Sequence, residues 1–339
     1  MKFLKVIKKM IKVTVVIPVK NEEEKVVECI ESINAQKKCQ LFFVVVDDSS
    51  TDETVTNVSK YFESSRADGV LLSNTLDAKG AGICRNLGME KIPHDTDYVI
   101  FFDADDLMPK YALDKLTRLA EVNDSDVVVA SYQTMPSENK NLNLGLLPGD
   151  KRIWKKILEN RENRTLDPRN FPELLATTNY PWNKLIKYSY FKKINLKFSG
   201  TTVHNDVYAH WVLLIYAKTV TLTNFPICKH FVVSQNDQLT NVSCKKRLQI
   251  FEVLDEVEQL LRSSESMFKL FYGFFLIFKM NTLEWAYKKI NDELKDEFLL
   301  KAKNSYSLYS SSDALKVSMA NPKIATKSAL LKLGVESLK

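Results

Sequence analysis

Cysteine is scarce, and its placement excludes most of what cysteine does in proteins. The 339 residues hold five, Cys29, Cys39, Cys84, Cys228 and Cys244. They are odd in number, widely scattered and without a Cys-x-x-Cys pair, so neither a disulfide framework nor a zinc site is expected. The chain reads as a resident of a reducing compartment, the cytoplasm. Only four histidines occur, His94, His204, His210 and His230, and none has zinc spacing; His204 and His210, six apart, do not share a helix face. No uninterrupted apolar run approaches the roughly 20 residues that a membrane-crossing helix needs. Leu270 to Phe278 comes nearest and is too short. Internal repeats and low-complexity tracts are also missing.

What remains is an ordinary globular composition, 45% hydrophobic and 27% charged, enough for one large or two modest domains. The net charge of +6 is spread along the chain, with a basic start in Met1 to Lys12 and a basic end from Lys316 onward. This balance favours anionic partners without identifying them. In residues 1–12, Phe3, Leu4, Ile7, Met10 and Ile11 recur near helical spacing between lysines. That pattern suits a helix lying on a membrane surface, or a frayed basic end leading into the first strand. The interrupting lysines argue against a signal peptide.

Val13 to Val19 and Leu41 to Val46 are β-branched runs that read as buried strands. Between them, Val26, Val27, Ile30 and Ile33 mark a helix period over Glu22 to Gln36. A helix is expected over Asp52 to Phe62, capped by Ser50, Thr51 or Asp52. Then come a strand over Gly69 to Asn74, a Gly-containing turn and helix over Lys79 to Met89, a strand over Tyr98 to Phe102, a helix over Pro109 to Val122 and a strand over Val127 to Tyr132. Such alternation argues for an α/β fold with a mostly parallel sheet covered on both faces. Met135 to Asp150 lapses into Asn, Gly and Pro and is read as a linker or active-site lid, with Asn141 to Gly145 able to pair as an edge hairpin. Beyond it, Lys155 to Asn160 and Phe171 to Thr177 look helical, and Tyr180 to Lys193 reads as a Pro-Trp segment entering a basic helix. A helix over His204 to Ala217 and strands at Thr219 to Thr223 and His230 to Ser234 follow. Almost everything from Lys245 reads as helix, and the cluster Phe268, Leu270, Phe271, Phe274, Phe275, Phe278 suits a buried one. The expected divisions are a basic segment 1–12, a strand-helix alternating part 13–135, a less regular part 136–244 and a C-terminal helical region 245–339.

Chemistry concentrates at strand ends. Asp103, Asp105 and Asp106 follow the apolar strand at Tyr98 to Phe102, where open α/β sheets place their ligands. Carboxylates there suit a magnesium or manganese ion that keeps phosphate and water positions open, or they decorate a helix N-terminus. Asp47-Asp48 ends the second strand and either meets a base or ribose or caps the next helix. Lys79-Gly80-Ala81-Gly82 with Arg85 offers two cations and a helix start to a diphosphate, though it is neither a Walker sequence nor a full dinucleotide fingerprint. Asp206, in His204-Asn205-Asp206-Val207, is either a general base at a cleft mouth or a helix cap. Trp182 and Trp211 either stack on sugars or fill the core.

Together these segments resemble the family 2 glycosyltransferases, which have the GT-A nucleotide-diphospho-sugar fold. Val13 to Glu22 looks like the family's opening strand and loop, Val45 to Asp52 like its second strand end, Ala81 to Gly88 like its Ala-Arg-Asn-x-Gly helix, and Phe101 to Leu107 like its Asp-x-Asp-Asp. Pro181 to Lys187 is similar to a Trp-x-Lys-Leu segment of bacterial capsule and lipopolysaccharide transferases. His204 to Val207 is similar to the family's Glu-Asp-Val motif, with Asn205 standing where Glu is usual. The Gln-x-x-Arg-Trp motif of processive synthases is absent.

The resemblance implies an inverting hexosyltransferase that moves a sugar from a nucleotide-diphospho-sugar, expected to be a UDP-sugar, to a hydroxyl of a glycan or lipid-linked acceptor in surface polysaccharide synthesis. It implies Pro18, Asn21, Glu22, Asp48, Lys79, Arg85 and Asp103 around the donor, Asp105 on Mn2+ or Mg2+, and Asp206 as general base. Trp182, Lys184 and Asn205 are expected at the acceptor. Nucleic acid is not an expected partner; membrane-surface contact and dimerisation through the C-terminal helices are. Two alternatives stand beside this: a non-catalytic sugar- or nucleotide-binding module, motivated by Asn205, and a haloacid-dehalogenase-type phosphatase using Asp103 as nucleophile.

Overall fold

The computed structural model describes residues 10–65, 67–136, 142–232, 243–335 and 338. The amphipathic start expected over 1–12 lies almost wholly outside them, as do Asn141 and the end of the expected strand at Val233 and Ser234.

The first half alternates as expected: β1 (Ile11–Val19), α1 (Val26–Asn34), β2 (Cys39–Asp47), α2 (Thr54–Ser64), β3 (Gly69–Ser73), α3 (Ala81–Met89), β4 (Tyr98–Phe101), α4 (Ala112–Asn123) and β5 (Val127–Pro136). The apolar runs are continuous because both faces of the sheet are buried. Along β1, Val13, Val15 and Ile17 pack under α1, α2 and α4. Val16 points to the opposite face, among Cys84 of α3 and side chains of the later helices.

The second half then extends the same sheet. It contributes α5 (Pro148–Leu158), β6 (Asn163–Leu166), β7 (Lys184–Lys187), α6 (Tyr188–Phe191), α7 (Val207–Ile215) and β8 (Val220–Val232). Strand order across the eight-stranded sheet is β3-β2-β1-β4-β7-β5-β8-β6. β1 pairs in parallel with β2 and β4, and β5 with β8, whereas β7 runs antiparallel between β4 and β5 and β6 antiparallel to β8. The regions 13–135 and 136–244 therefore share one sheet. α8 (Ile250–Arg262), α9 (Glu265–Lys289), α10 (Lys295–Ser305), α11 (Ser311–Ala320) and α12 (Pro322–Leu333) form the C-terminal helical region. No helix of the described residues is long and apolar enough to cross a membrane.

Several expectations are corrected here. Residues 184–187 are a sheet strand rather than the entry of a basic helix. The expected strands at Thr219 to Thr223 and from His230 are one long strand, whose pairing with β5 shifts register around Ser131. α5 starts inside the expected linker, with Pro148 in the first turn where its missing N–H costs nothing. Pro172–Ala176 is a 3-10 turn. Of the expected edge hairpin, Leu144 and Gly145 do bond to Thr134 of β5. The aromatic stretch of α9 buries Phe271, Phe275 and Phe278 but leaves Leu270 exposed.

Candidate active site

Parallel pairing brings the ends of β1, β2 and β4 to one edge of the sheet. The chain leaves β1 at half-buried Pro18 and turns through exposed Asn21, whose φ of 53° is a left-handed value that Asn tolerates. The Asn21 N–H donates to Ser50 Oγ and its Oδ1 accepts from the Thr51 N–H, both at 2.9 Å. The next residue, Glu22, is half-buried, and burial raises its carboxyl above the usual range against the pull of Lys25.

Asp48 is 4% exposed. Its oxygens accept from Asn74 Nδ2 and from the Gly80 N–H, each at 2.8 Å. Asp48 thereby anchors the turn that carries Lys79. Lys79 itself is exposed, with Nζ on Ser49 Oγ at 3.0 Å and on the Asn74 carbonyl at 2.8 Å. An ammonium has three donors, so one remains for a ligand. The neighbouring Asp47 accepts from the N–H groups of Ser49 and Ser50, the turn-capping role.

Arg85 joins the two halves. It is 5% exposed; Nη2 donates to Asp103 Oδ1 at 2.6 Å and Nη1 to Asn205 Oδ1 at 2.8 Å. Next to it, the Asn86 side chain pairs with both backbone groups of Phe198, at 2.8 and 2.9 Å. Gly82 permits this approach: a Cβ there would lie 2.5 Å from the Ser199 carbonyl oxygen and 2.8 Å from Asn205 Cβ. The segment leading into α7 is therefore clamped against α3, and Asp206 is brought to the same edge as Asp103.

Asp206 occupies the N-cap position of α7, yet its side chain makes no capping bond. The helix-cap alternative is corrected accordingly. Burial raises its carboxyl above the usual carboxylate range, with Arg85 and the Asn179 side chain opposing, which suits a group that must take a proton.

The three acids after β4 separate in role. Asp103 is held by Arg85. Asp106 is fully buried and accepts from His230 Nδ1 at 2.9 Å and the Phe231 N–H at 3.0 Å, tying the acidic loop to β8. Nothing local in the sequence signals that partnership. Asp105 is half-buried, and burial together with Asp106, Asp103 and Glu22 pushes its carboxyl up to about 7. So much negative charge on one loop fits a divalent cation, which would relieve it. Among the described residues no three His, Cys, Asp or Glu side chains converge to hold a metal alone. A cation here would take much of its coordination from phosphate and water, as magnesium and manganese sites commonly do.

The expected acceptor contacts are corrected. Trp182 is fully buried, stacked on Tyr180 with ring centroids 4.4 Å apart and edge-on to Tyr132, so no sugar can stack on it. Lys184 is also buried, and Asn205 spends its oxygen on Arg85. Trp211 packs in the core against Phe275 and Phe278. All five cysteines are free, four of them buried.

The Glycosyl transferase family 2 model matches residues 14–194. Glycosyltransferase GlyG of Streptococcus pneumoniae serotype 4 is 23% identical over 212 residues, 62% of this chain and 68% of its own. Glycosyltransferase GlyA of the same organism is 27% identical over 218 residues, but this chain spans only 29% of its length. The poly(ribitol-phosphate) beta-N-acetylglucosaminyltransferase TarP of Staphylococcus aureus strain N315 is 31% identical over 127 residues, 36% of each chain. Among solved structures, S. aureus TarS 1-349 in complex with UDP-GlcNAc superposes with a TM-score of 0.74 at 15% identity, covering 96% of this chain and 88% of that one. The likeness extends the shared GT-A fold through the C-terminal helices, and with more than half of its length matched by the family model, this chain belongs to glycosyl transferase family 2.

Proposed function

We infer that the protein is an inverting glycosyltransferase that moves a sugar from a nucleotide-diphospho-sugar to a hydroxyl of a surface glycan or its lipid-linked precursor. The observation that carries this reading is the Arg85 bridge, which unites the acid loop after β4 with the Asn205-Asp206 segment of the other half. A donor-side carboxylate, a candidate metal carboxylate and a proton-accepting carboxylate then share one edge of the sheet.

Pro18, Asn21 and Glu22 form the wall for the nucleoside, and Asp48 acts on it through the Gly80 turn. Lys79 meets the diphosphate, Asp103 the ribose or sugar, and Arg85 fixes Asp103 while adding positive charge. Mn2+ or Mg2+ on Asp105 would neutralise charge on the leaving diphosphate. Asp206 takes the proton of the acceptor hydroxyl as that oxygen attacks the anomeric carbon from the face opposite the diphosphate. A single displacement inverts configuration, and no covalent sugar-enzyme intermediate is required. A UDP-sugar donor is supported by the solved TarS complexes with UDP and UDP-GlcNAc, and metal use by a mannosyltransferase from Pyrobaculum calidifontis of TM-score 0.53 solved with GDP-Man and Mn2+. Free, mostly buried cysteines fit work in the reducing cytoplasm. The phosphatase alternative loses its footing, because Asp103 is engaged by Arg85 rather than presented as a nucleophile.

A thermal-shift panel of nucleotide sugars with and without manganese tests the reading. One donor should raise the melting temperature in a metal-dependent way. No stabilisation by any donor, metal present or not, would contradict it.

A further inference from the structure

Beneath the site lies a small cavity of about 10 Å³ whose polar lining comes from Asn179, Lys184, Asp206 and His210. This is near the space that one water molecule needs, and a buried water requires two to four polar partners. Lys184 Nζ donates to the Tyr180 carbonyl at 2.7 Å and to Asn183 Oδ1 at 2.6 Å, both neutral acceptors, which leaves its third N–H. His210 Nε2 lies 3.2 Å from the Leu175 carbonyl oxygen. A carbonyl only accepts, so Nε2 carries the proton and Nδ1 keeps a lone pair. That Nδ1 is buried without a hydrogen-bond partner among the described residues.

A fully buried ammonium calls for a carboxylate. The acids that act on Lys184 are Asp206 and Asp150. Asp150 already accepts three hydrogen bonds, from Tyr132 Oη at 2.8 Å, the Thr178 N–H at 2.9 Å and Thr178 Oγ1 at 2.6 Å. Asp206, half-buried and uncapping, retains the capacity.

We propose that Lys184 is a positioning residue for the transfer: across this cavity, by way of one water that also donates to His210 Nδ1, it holds the Asp206 carboxylate ionised and aimed at the acceptor hydroxyl. This deepens the reading of Asp206 as base and rests on it. It also gives the buried Lys of the Trp-x-Lys-Leu segment a task other than acceptor contact. The charged and titratable groups around Asp206 are Arg85 from α3, Asp103 from the acid loop, Lys184 from β7 and His210 from α7; Tyr180 and Asp150 flank Lys184 from the other side. Burial brings the Lys184 ammonium down to about 7, with Asp206 and Asp150 opposing.

The test is the titration of Asp206 itself, read by carbon-13 NMR of labelled aspartate carboxyls, with the signal assigned by its loss in Asp206→Asn. In wild type it gives the reference midpoint. In Lys184→Met the Asp206 midpoint should rise by about one unit, the order expected for loss of a nearby opposite charge. The acidic limb of the transfer rate should shift with it, lowering the rate about tenfold at low pH, while KM for the donor stays unchanged. Lys184→Arg should restore the midpoint. Should Lys184→Met not fold, Lys184→Gln makes the same comparison. An unmoved Asp206 midpoint once the Lys184 charge is removed overturns the proposal. If the wild-type protein transfers no sugar and yet the Asp206 signal responds to Lys184, the functional reading fails and the coupling stands.

Discussion

The guanidinium of Arg85 donates to Asp103 at 2.6 Å with one terminal nitrogen and to Asn205 at 2.8 Å with the other, so a single planar group sets the spacing between the acid loop after β4 and the segment that leads into α7. A lysine keeps the charge but lacks the fork that serves two acceptors in fixed directions. Arg85→Lys should therefore lower kcat by about 100-fold, the usual penalty for misplacing reacting groups by an ångström or so. Donor binding should change far less. Steady-state release of nucleoside diphosphate, with calorimetric donor titration, measures both.

Gly82 lies where α3 meets the segment before α7, and an added methyl would press on the Ser199 carbonyl at 2.5 Å. A backbone oxygen in a clamped segment cannot swing away as a side chain can. Gly82→Ala should cost about 1–3 kcal/mol, typical of overpacking, and should depress turnover more than donor affinity because Asn205 and Asp206 move with that segment. Urea denaturation and the same turnover assay provide the check. Unchanged stability would show that the clamp yields without strain.

Asp105 stands apart from Asp103 and Asp106, which are held by Arg85 and by His230 with the Phe231 N–H. Asp105→Asn should abolish the manganese-dependent part of donor stabilisation and leave the fold intact. Asp106→Asn should instead lower the melting temperature, because its carboxylate is fully buried on those two partners. Thermal shift with and without manganese separates the two outcomes.

Far from the site, Glu258 of α8 accepts from Lys279 Nζ at 2.8 Å, Arg262 Nη2 at 2.8 Å and Tyr272 Oη at 2.8 Å, pinning α8 to α9. Burial alone would raise its carboxyl, but Lys279, Arg262 and Tyr272 hold it below the usual range. A depressed folded-state value means stability that is complete above the unfolded-state value of about 4.3 and lost as pH falls through the folded one. Glu258→Gln, which strands the buried Lys279, should cost about 3–5 kcal/mol at neutral pH. The gap from wild type should narrow below about pH 4, where the wild type loses the same charge. Chemical denaturation across pH 3 to 8 follows it.

The parallel half of the fold was legible because Val13 to Val19, Leu41 to Val46 and Tyr98 to Phe101 are buried on both faces and show unbroken apolar runs. Their acidic ends then fell at one edge by topology alone. Strand β7 was not legible: Lys-Leu-Ile-Lys is four residues long, and its first lysine is buried against every hydropathy expectation. The acceptor side was misread for a related reason. Trp182 looks like a sugar platform in sequence, but Tyr132, Tyr180 and His230 gather round it, and that cluster forms only when β5, β7 and β8 lie side by side. Asp106 could not be assigned because its partner His230 is 124 residues away, and Asp206 could be told from a helix cap only by seeing that its side chain caps nothing.

The central claim is that Asp206 takes the acceptor proton at a site assembled around Arg85. With the donor found in the thermal-shift panel, Asp206→Asn should bind that donor with wild-type affinity by calorimetry while transfer to a hydroxyl acceptor falls to background. Transfer by the variant at the wild-type rate would contradict the account.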